Sequence, residues 1–226
     1  MKKPYLKKFT EIEDITVFIV DGEYIRGNIN EEFTNYGQHY KFPFIPENEF
    51  WIDDAGEVGE ERYYIDSMLI IHRLLEEGIS HDEAVKKADM IERRERAKSE
   101  IMKKIIKIKD KEKLIKKIHK KLLYDYKEIK VFLVNGELVR DIFFLDFTEG
   151  GHDKVYSFIP ENEIWLEETI SSRERKFILL HEIHERNLMI KGLSYDDAHK
   201  SASKIEFHCR KYPEELDEKI NKEIKL

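Results

Sequence analysis

Apolar and polar positions spell out the same order of elements twice along the chain. Residues 17–27 read VFIVDGEYIRG and residues 131–141 read VFLVNGELVRD. In each, an apolar run meets an Asp-Gly or Asn-Gly pair and a second apolar run follows. Those pairs tolerate the positive φ angles of a tight turn, so both stretches predict a β-hairpin. Further strand is expected up to FIPENEFWI (44–52) and FIPENEIWL (158–166). Within these segments, Glu47-Asn48-Glu49 and Glu161-Asn162-Glu163 are expected to cap or turn the chain, and Trp51 and Trp165 to pack in a core or between modules. Helical periodicity then takes over across 60–77 and 173–191. Gly78 and Gly192 follow as left-handed stops. Ser80-x-x-Glu83 and Ser194-x-x-Asp197 read as N-caps of a second helix that starts near 81 and 195.

The two series are one sequence repeated at an offset of 114 positions. Between 17–96 and 131–210, 27 of 80 positions are identical without a gap, so a tandem duplication sets the domain division. Strands followed by helices indicate the α+β class. Two homologous modules are expected, each a small antiparallel sheet (hairpin plus strands) followed by a helix pair. The N-terminal module is assigned residues 1–100 and the C-terminal module residues 126–226, with a charged helical tail from Pro213. Residues 101–125 between them are assigned as a basic helical linker, because Ile101, Ile105, Ile108, Leu114, Ile118 and Leu122 recur at helical spacing.

Composition narrows the class without changing that architecture. The chain has 226 residues, 41% of them apolar, enough for one large or two small cores. No apolar run approaches 18 residues and the N-terminus is charged, so neither a membrane span nor a secretory signal is expected. Cys209 is the only cysteine, which excludes an intrachain disulfide and a Cys-rich zinc site. A cytoplasmic location is the expectation. Charged residues make up 38%, and Gln38 is the only glutamine, a bias that fits a heat-adapted protein. The net charge of −7 argues against nucleic acid as a partner of the whole chain. Residues 93–121 carry fourteen Lys and Arg and could touch phosphates or an acidic partner, but the simpler reading is a solvated helix face. No aromatic residue interleaves there for stacking on single strands. There is no glycine-rich phosphate loop.

The candidate chemistry lies in His181-Glu182-Ile183-His184-Glu185, inside the apolar run from Phe177 to Met189. Burying these side chains without partners is expensive. At helical spacing His181, His184 and Glu185 share a face. The first copy has Ser67, Met68, Ile70 and Ile71 at the matching positions, and Val85 where the second has His199. A solvated surface does not account for five ionisable residues on a face that is small or apolar in the sister copy; a metal ion does. The tight Gly192 turn should fold the second helix back and carry His199 toward His181. His181, Glu185 and His199 are therefore the expected ligands, two imidazoles and a carboxylate that leave a position for water. His184 is the alternative second ligand, with Glu185 then orienting an imidazole; three histidines would suit zinc, iron, nickel or manganese. Glu206, seven residues after His199 on the same face, is a fourth ligand in one reading, but its counterpart Glu92 stands in the copy without the cluster, so a pairing with Arg210, as of Glu92 with Arg96, is expected instead. His39, His72, His81, His119, His152 and His208 show no partner pattern and are expected to be structural or exposed.

The run resembles the helix of the zincin metallopeptidases, which carries His-Glu-x-x-His. His181 and Glu182 match its first two positions, Glu185 stands in place of the second histidine, and His199 would be the third ligand. The resemblance covers about twenty residues. It implies a divalent metal, zinc first, with Glu182 as general base toward a water on the ion. The implied activity is that of a metal-dependent hydrolase acting on a peptide or a small molecule. The alternative is a non-catalytic interaction or nucleic-acid-binding protein in which the ion or polar cluster braces the helix pair. The first module would be a scaffold or would complete a pocket against the second. The duplication would mimic a dimer within one chain, and the sequence is also compatible with a homo-oligomer.

Overall fold

A computed structural model describes residues 4–225. The first module runs β1 (Tyr5–Ile12), β2 (Ile15–Val20), α1 (Gly22–Asn28), β3 (Tyr36–Gln38), β4 (Glu49–Asp53), α2 (Glu61–Glu76) and α3 (His81–Arg96). Two short helices follow, α4 (Glu100–Ile105) and α5 (Lys111–Ile118). The second module repeats the series as β5 (His119–Tyr126), β6 (Ile129–Val134), α6 (Gly136–Ile142), β7 (Gly150–His152), β8 (Glu163–Glu167), α7 (Glu174–Ile190) and α8 (Tyr195–Lys211), and α9 (Leu216–Ile224) ends the chain. The fold is α+β, with two four-stranded sheets of order β1-β2-β4-β3 and β5-β6-β8-β7. Among the described residues no helix is long and apolar enough to cross a membrane.

Asp21-Gly22 and Asn135-Gly136 do not turn hairpins; they start helices. Asp21 Oδ1 accepts from the Tyr24 amide at 2.8 Å and Asn135 Oδ1 from the Leu138 amide at 2.6 Å. Asp and Asn serve tight turns and N-caps equally well, so the dipeptide alone does not decide between them. The glycine is required by crowding: a Cβ on Gly22 would lie 1.9 Å from Asp53 Oδ2, and one on Gly136 2.0 Å from Glu167 Oε1. The hairpins lie one strand earlier, where Ile12 faces Ile15 and Tyr126 faces Ile129. The sheets are also mixed, not wholly antiparallel, because β2 runs parallel to β4 and β6 to β8. A parallel pair needs a crossover, and the α1–β3 and α6–β7 segments supply it.

The assigned linker is helical only as far as Ile118. Residues 119–126 are β5, the counterpart of β1 at the same offset, so the second module begins at 119 instead of 126. Leu122 continues the spacing of Ile118 by coincidence, and it is exposed on an edge strand while Ile105 and Ile118 are buried.

Each sheet carries its helix pair on one face. In the second module Val131, Leu133, Ile164 and Leu166 meet Phe177, Ile178, Leu180 and Ile183, with Ile220 of α9 closing the layer. The opposite face buries Trp165 with Val134, Val139 and Phe147, as Trp51 packs with Val20, Ile25 and Phe33 in the first. Glu49 and Glu163 accept the indole N–H of these tryptophans at 2.7 and 2.8 Å. Gly78 and Gly192 adopt φ of +82° and +94°, the left-handed stops that let α3 and α8 fold back on α2 and α7.

One contact between the modules is made twice. Arg26 Nε donates to Glu174 Oε2 at 3.0 Å, and Arg140 Nε to Glu60 Oε1 at 3.0 Å. Both pairs obey the offset of the repeat, so residue i of one module meets residue j of the other and the reverse, as in a two-fold interface. Each guanidinium also binds its own module: Arg26 holds Asp53 and the Phe33 carbonyl, Arg140 holds Glu167 and the Phe147 carbonyl. These arginines are only 1% exposed, a position sustained by several carboxylates and a carbonyl apiece.

Candidate metal site

Helix α7 turns its apolar side to the sheet and its ionisable side to α8. Ser194 caps α8, its Oγ accepting from the Asp197 amide at 3.3 Å, and the helix then runs back so that His199 lies over His181. His181 Nε2, His199 Nδ1 and Glu185 Oε2 converge. The separations are 3.2 Å between the two histidine nitrogens, 2.8 Å from His199 to Glu185 and 3.6 Å from His181 to Glu185. Donors held 2.0–2.1 Å from a tetrahedral zinc lie roughly 3.3 Å apart, so the triangle has the dimensions of three zinc ligands. Glu185 is buried, His181 largely so, and His199 is about one-third open to solvent.

The outward atoms of all three residues are held, and this sets which donor atoms point inward. His181 Nδ1 lies 2.8 Å from Glu206 Oε2. A carboxylate only accepts, so Nδ1 carries a proton and Nε2 is the nitrogen turned to the centre. His199 Nε2 likewise faces Glu32 Oε2 at 3.4 Å and turns Nδ1 inward, where in the metal-free site it carries a proton toward Glu185 Oε2 at 2.8 Å that a cation would displace. His152 Nδ1 accepts the Lys154 amide at 3.1 Å, so its Nε2–H donates to Glu185 Oε1 at 2.9 Å and leaves Oε2 for the centre.

Glu182 flanks this triangle on the β7 side. It forms a second group with His152 and Glu185, one donor atom of each lying within 4.8 Å of the others. That group is a poor cation site. A metal on His152 Nε2 would require a proton on Nδ1, which would then meet the Lys154 N–H donor head on. His152 therefore orients Glu185, and Glu182 stands apart from the ligand set.

Electrostatics separate the carboxylates. Burial pushes Glu182 up to about 7. Burial acts the same way on Glu185, but hydrogen bonds from His152, His181 and His199 outweigh it and hold that carboxyl well below its usual range. Hydrogen bonds to Glu185 and Glu32 raise His199 to about 9. Burial opposes charge on His181, yet contacts with Glu185 and Glu206 carry it well above the usual imidazole value. The metal-free site thus holds protons where a cation would sit.

His184 does not join the centre. Its Nδ1 lies 2.9 Å from Glu223 Oε1 on α9 and its Nε2 3.0 Å from Ser201 Oγ, so it ties the C-terminal helix to α7 and α8. The expectation that it shares a face with His181 and Glu185 fails because these residues fan across the helix and α9 covers the far side. Glu206 pairs with Arg210 as expected, Nε to Oε1 at 2.9 Å, and holds His181 with its other oxygen.

Three contributors escaped the pattern reading. His152 sits where the first copy has Gln38, and Gly150 where it has Tyr36, so the offset comparison contained both. A Cβ on Gly150 would come 3.0 Å from Ile178 Cγ2 and 3.3 Å from Glu182 Oε1, so this glycine makes room for the carboxylate. Glu32 carried no signal: its counterpart Asp146 is also acidic, and it reaches His199 from the other module.

No protein-family model, curated protein or solved structure matches the chain.

Proposed function

We propose that the protein is a metal-dependent hydrolase whose C-terminal module binds a divalent cation, zinc first, through His181, Glu185 and His199. The convergence of three inward-facing donor atoms at zinc-ligand separations carries this reading. Glu206, Glu32 and His152 would fix the ligands' orientation, a common arrangement around protein metal ions. A bound ion would supply Lewis acidity to a water or a substrate oxygen. Glu182 would take the proton. It is half-buried, and its pKa of about 7 suits a general base near neutrality. The zincin-like order of His181 and Glu182 agrees with those roles, and a peptide or a small molecule would be the substrate.

Burial of Glu185 and His181 favours a second reading, an ion that only braces α7 against α8. One set of measurements separates the two. Purified protein should contain stoichiometric metal, lost in His181→Ala and His199→Ala; metal-free parent protein that also fails to take up zinc would end both readings. Glu182→Gln should keep the metal and the fold. A hydrolytic activity found by substrate screening and abolished in that variant supports catalysis, and activity that survives the substitution removes Glu182 as base.

A further inference from the structure

We infer that the module without the ligands is nevertheless part of the metal site: Glu32 positions His199 directly, and Arg26 positions His181 through a chain of buried ion pairs. The inference rests on the metal reading above and adds that zinc affinity and the docking of the two modules are one coupled equilibrium.

Glu32 lies in the loop between α1 and β3 of the N-terminal module. Besides facing His199 Nε2, its Oε1 accepts from Ser203 Oγ at 2.9 Å, and Ser203 also donates to the His199 carbonyl at 3.1 Å. Glu32 thus grips α8 at the ligand and one turn beyond it. Without that acceptor Nε2–H loses its outward hydrogen bond, and the imidazole is left to the Tyr195 ring stacked at 5.4 Å and the inward contacts with Glu185 and His181.

His181 is reached by a longer route. Arg26 donates to Glu174 at 3.0 Å, Arg210 to the same carboxylate at 2.7 and 2.9 Å, and Arg210 to Glu206 at 2.9 Å. Glu206 then holds His181 Nδ1 at 2.8 Å. Every carboxylate in this chain is shared between two cations or between a cation and the imidazole. All the groups are buried, where removing one partner strands another. The mirror chain in the other half runs from Arg140 to Glu60, Arg96 and Glu92 and ends on the hydroxyl of Ser67, 2.6 Å from Glu92. The relay therefore belongs to the docking architecture of both modules, and the second copy places a ligand at its end.

Asp146, the counterpart of Glu32, lies near enough to Tyr36, Lys41 and Asp89 of the ligand-free module to act on their charge, and is a built-in control. Zinc affinity of the full-length chain is measured by competition with a chromophoric chelator. Glu32→Gln should weaken zinc by about 10–100-fold, the usual loss when an orienting partner of a ligand is removed. Asp146→Asn should leave it unchanged, and Glu32→Asp should recover part of the loss. The cobalt-loaded Glu32→Gln protein should keep the parent's visible spectrum, since Glu32 does not touch the ion, whereas Glu185→Gln should alter it. Amide exchange across residues 29–35 should slow on zinc loading in the parent and not in Glu32→Gln. Parental zinc affinity in Glu32→Gln overturns the inference and leaves the metal reading standing. Equal weakening in Asp146→Asn also overturns it, since the loss would then be one of general charge. A parent chain that binds no zinc overturns both.

Discussion

At matched positions the two modules solve one packing problem in opposite ways. In the first, Tyr36 stacks on Tyr64 at 4.6 Å and 22°, and the face between the helices is completed by Ser67, Met68, Ile71 and Val85. In the second, Gly150 replaces that tyrosine and His181, Glu182, Glu185 and His199 occupy the other four places. The backbone, the helix stops and the Arg-Glu-Arg-Glu relay are common to both. The difference shows that the fold does not need the cluster, because its sister stands on an apolar version of the same face. It also shows why the cluster is tolerated: each inward group has an outward partner, and those partners come from the relay, from β7 and from the opposite module.

The comparison can be broken most completely at Glu185. Glu185→Ile, the sister's residue, should abolish zinc binding in a competition titration, because it removes one ligand and leaves His152 Nε2–H without its acceptor. Retained binding would remove Glu185 from the ligand set. Next in size is zinc itself. At zinc a thousandfold above its dissociation constant, the folded chain should gain about 4 kcal/mol, seen as a rise in melting temperature that a chelator reverses. A His181→Ala chain should show no such rise.

Gly150→Tyr tests the space that Tyr36 fills in the other copy. It should destabilise the protein by about 1–3 kcal/mol in denaturant melts, since a side chain there meets Ile178 and Glu182. Neutral behaviour would show that Glu182 can swing clear. The pH dependence is comparable. In the metal-free site His199 holds a proton up to about pH 9, and zinc needs that nitrogen bare. Apparent zinc affinity should therefore rise by at least about tenfold per pH unit, or about 1.4 kcal/mol, as pH climbs toward that value, and more steeply where His181, also raised, must give up its inward proton. The raised pKa also stabilises the metal-free fold. That contribution is complete below the ordinary imidazole value and is lost as pH rises through about 9, so apo stability and zinc affinity should move in opposite directions. The smallest effect is expected at the relay's other end: Ser67→Ala removes one buried hydrogen bond to Glu92 and should cost about 1 kcal/mol in the same melts, with zinc affinity untouched.

Much of this arrangement was legible in the sequence because the chain contains its own comparison. Ser67 set against His181 and Val85 against His199 single out a candidate cluster, and the Gly192 stop folds the two helices against each other. His152 and Gly150 were legible by the same means, opposite Gln38 and Tyr36, but a lone histidine and a glycine on a three-residue strand carry no periodic signal. Asp21-Gly22 misled because one dipeptide fits two local structures, and only the Asp53 carboxylate packed against Gly22 selects the helix start.

The sequence by itself determined the duplication, the α+β class and the helix stops, and it singled out His181, Glu185 and His199 as a group, since all of these follow from local spacing and from the repeat. Tertiary structure alone decided that His184 turns to α9, that β2 and β4 run parallel, and that Glu32 and Arg26 reach the site from the other module. Those outcomes depend on contacts between residues far apart in the chain, 167 positions in the case of Glu32 and His199. No local pattern encodes them, because the docking of two modules sets a side chain's partner across the interface.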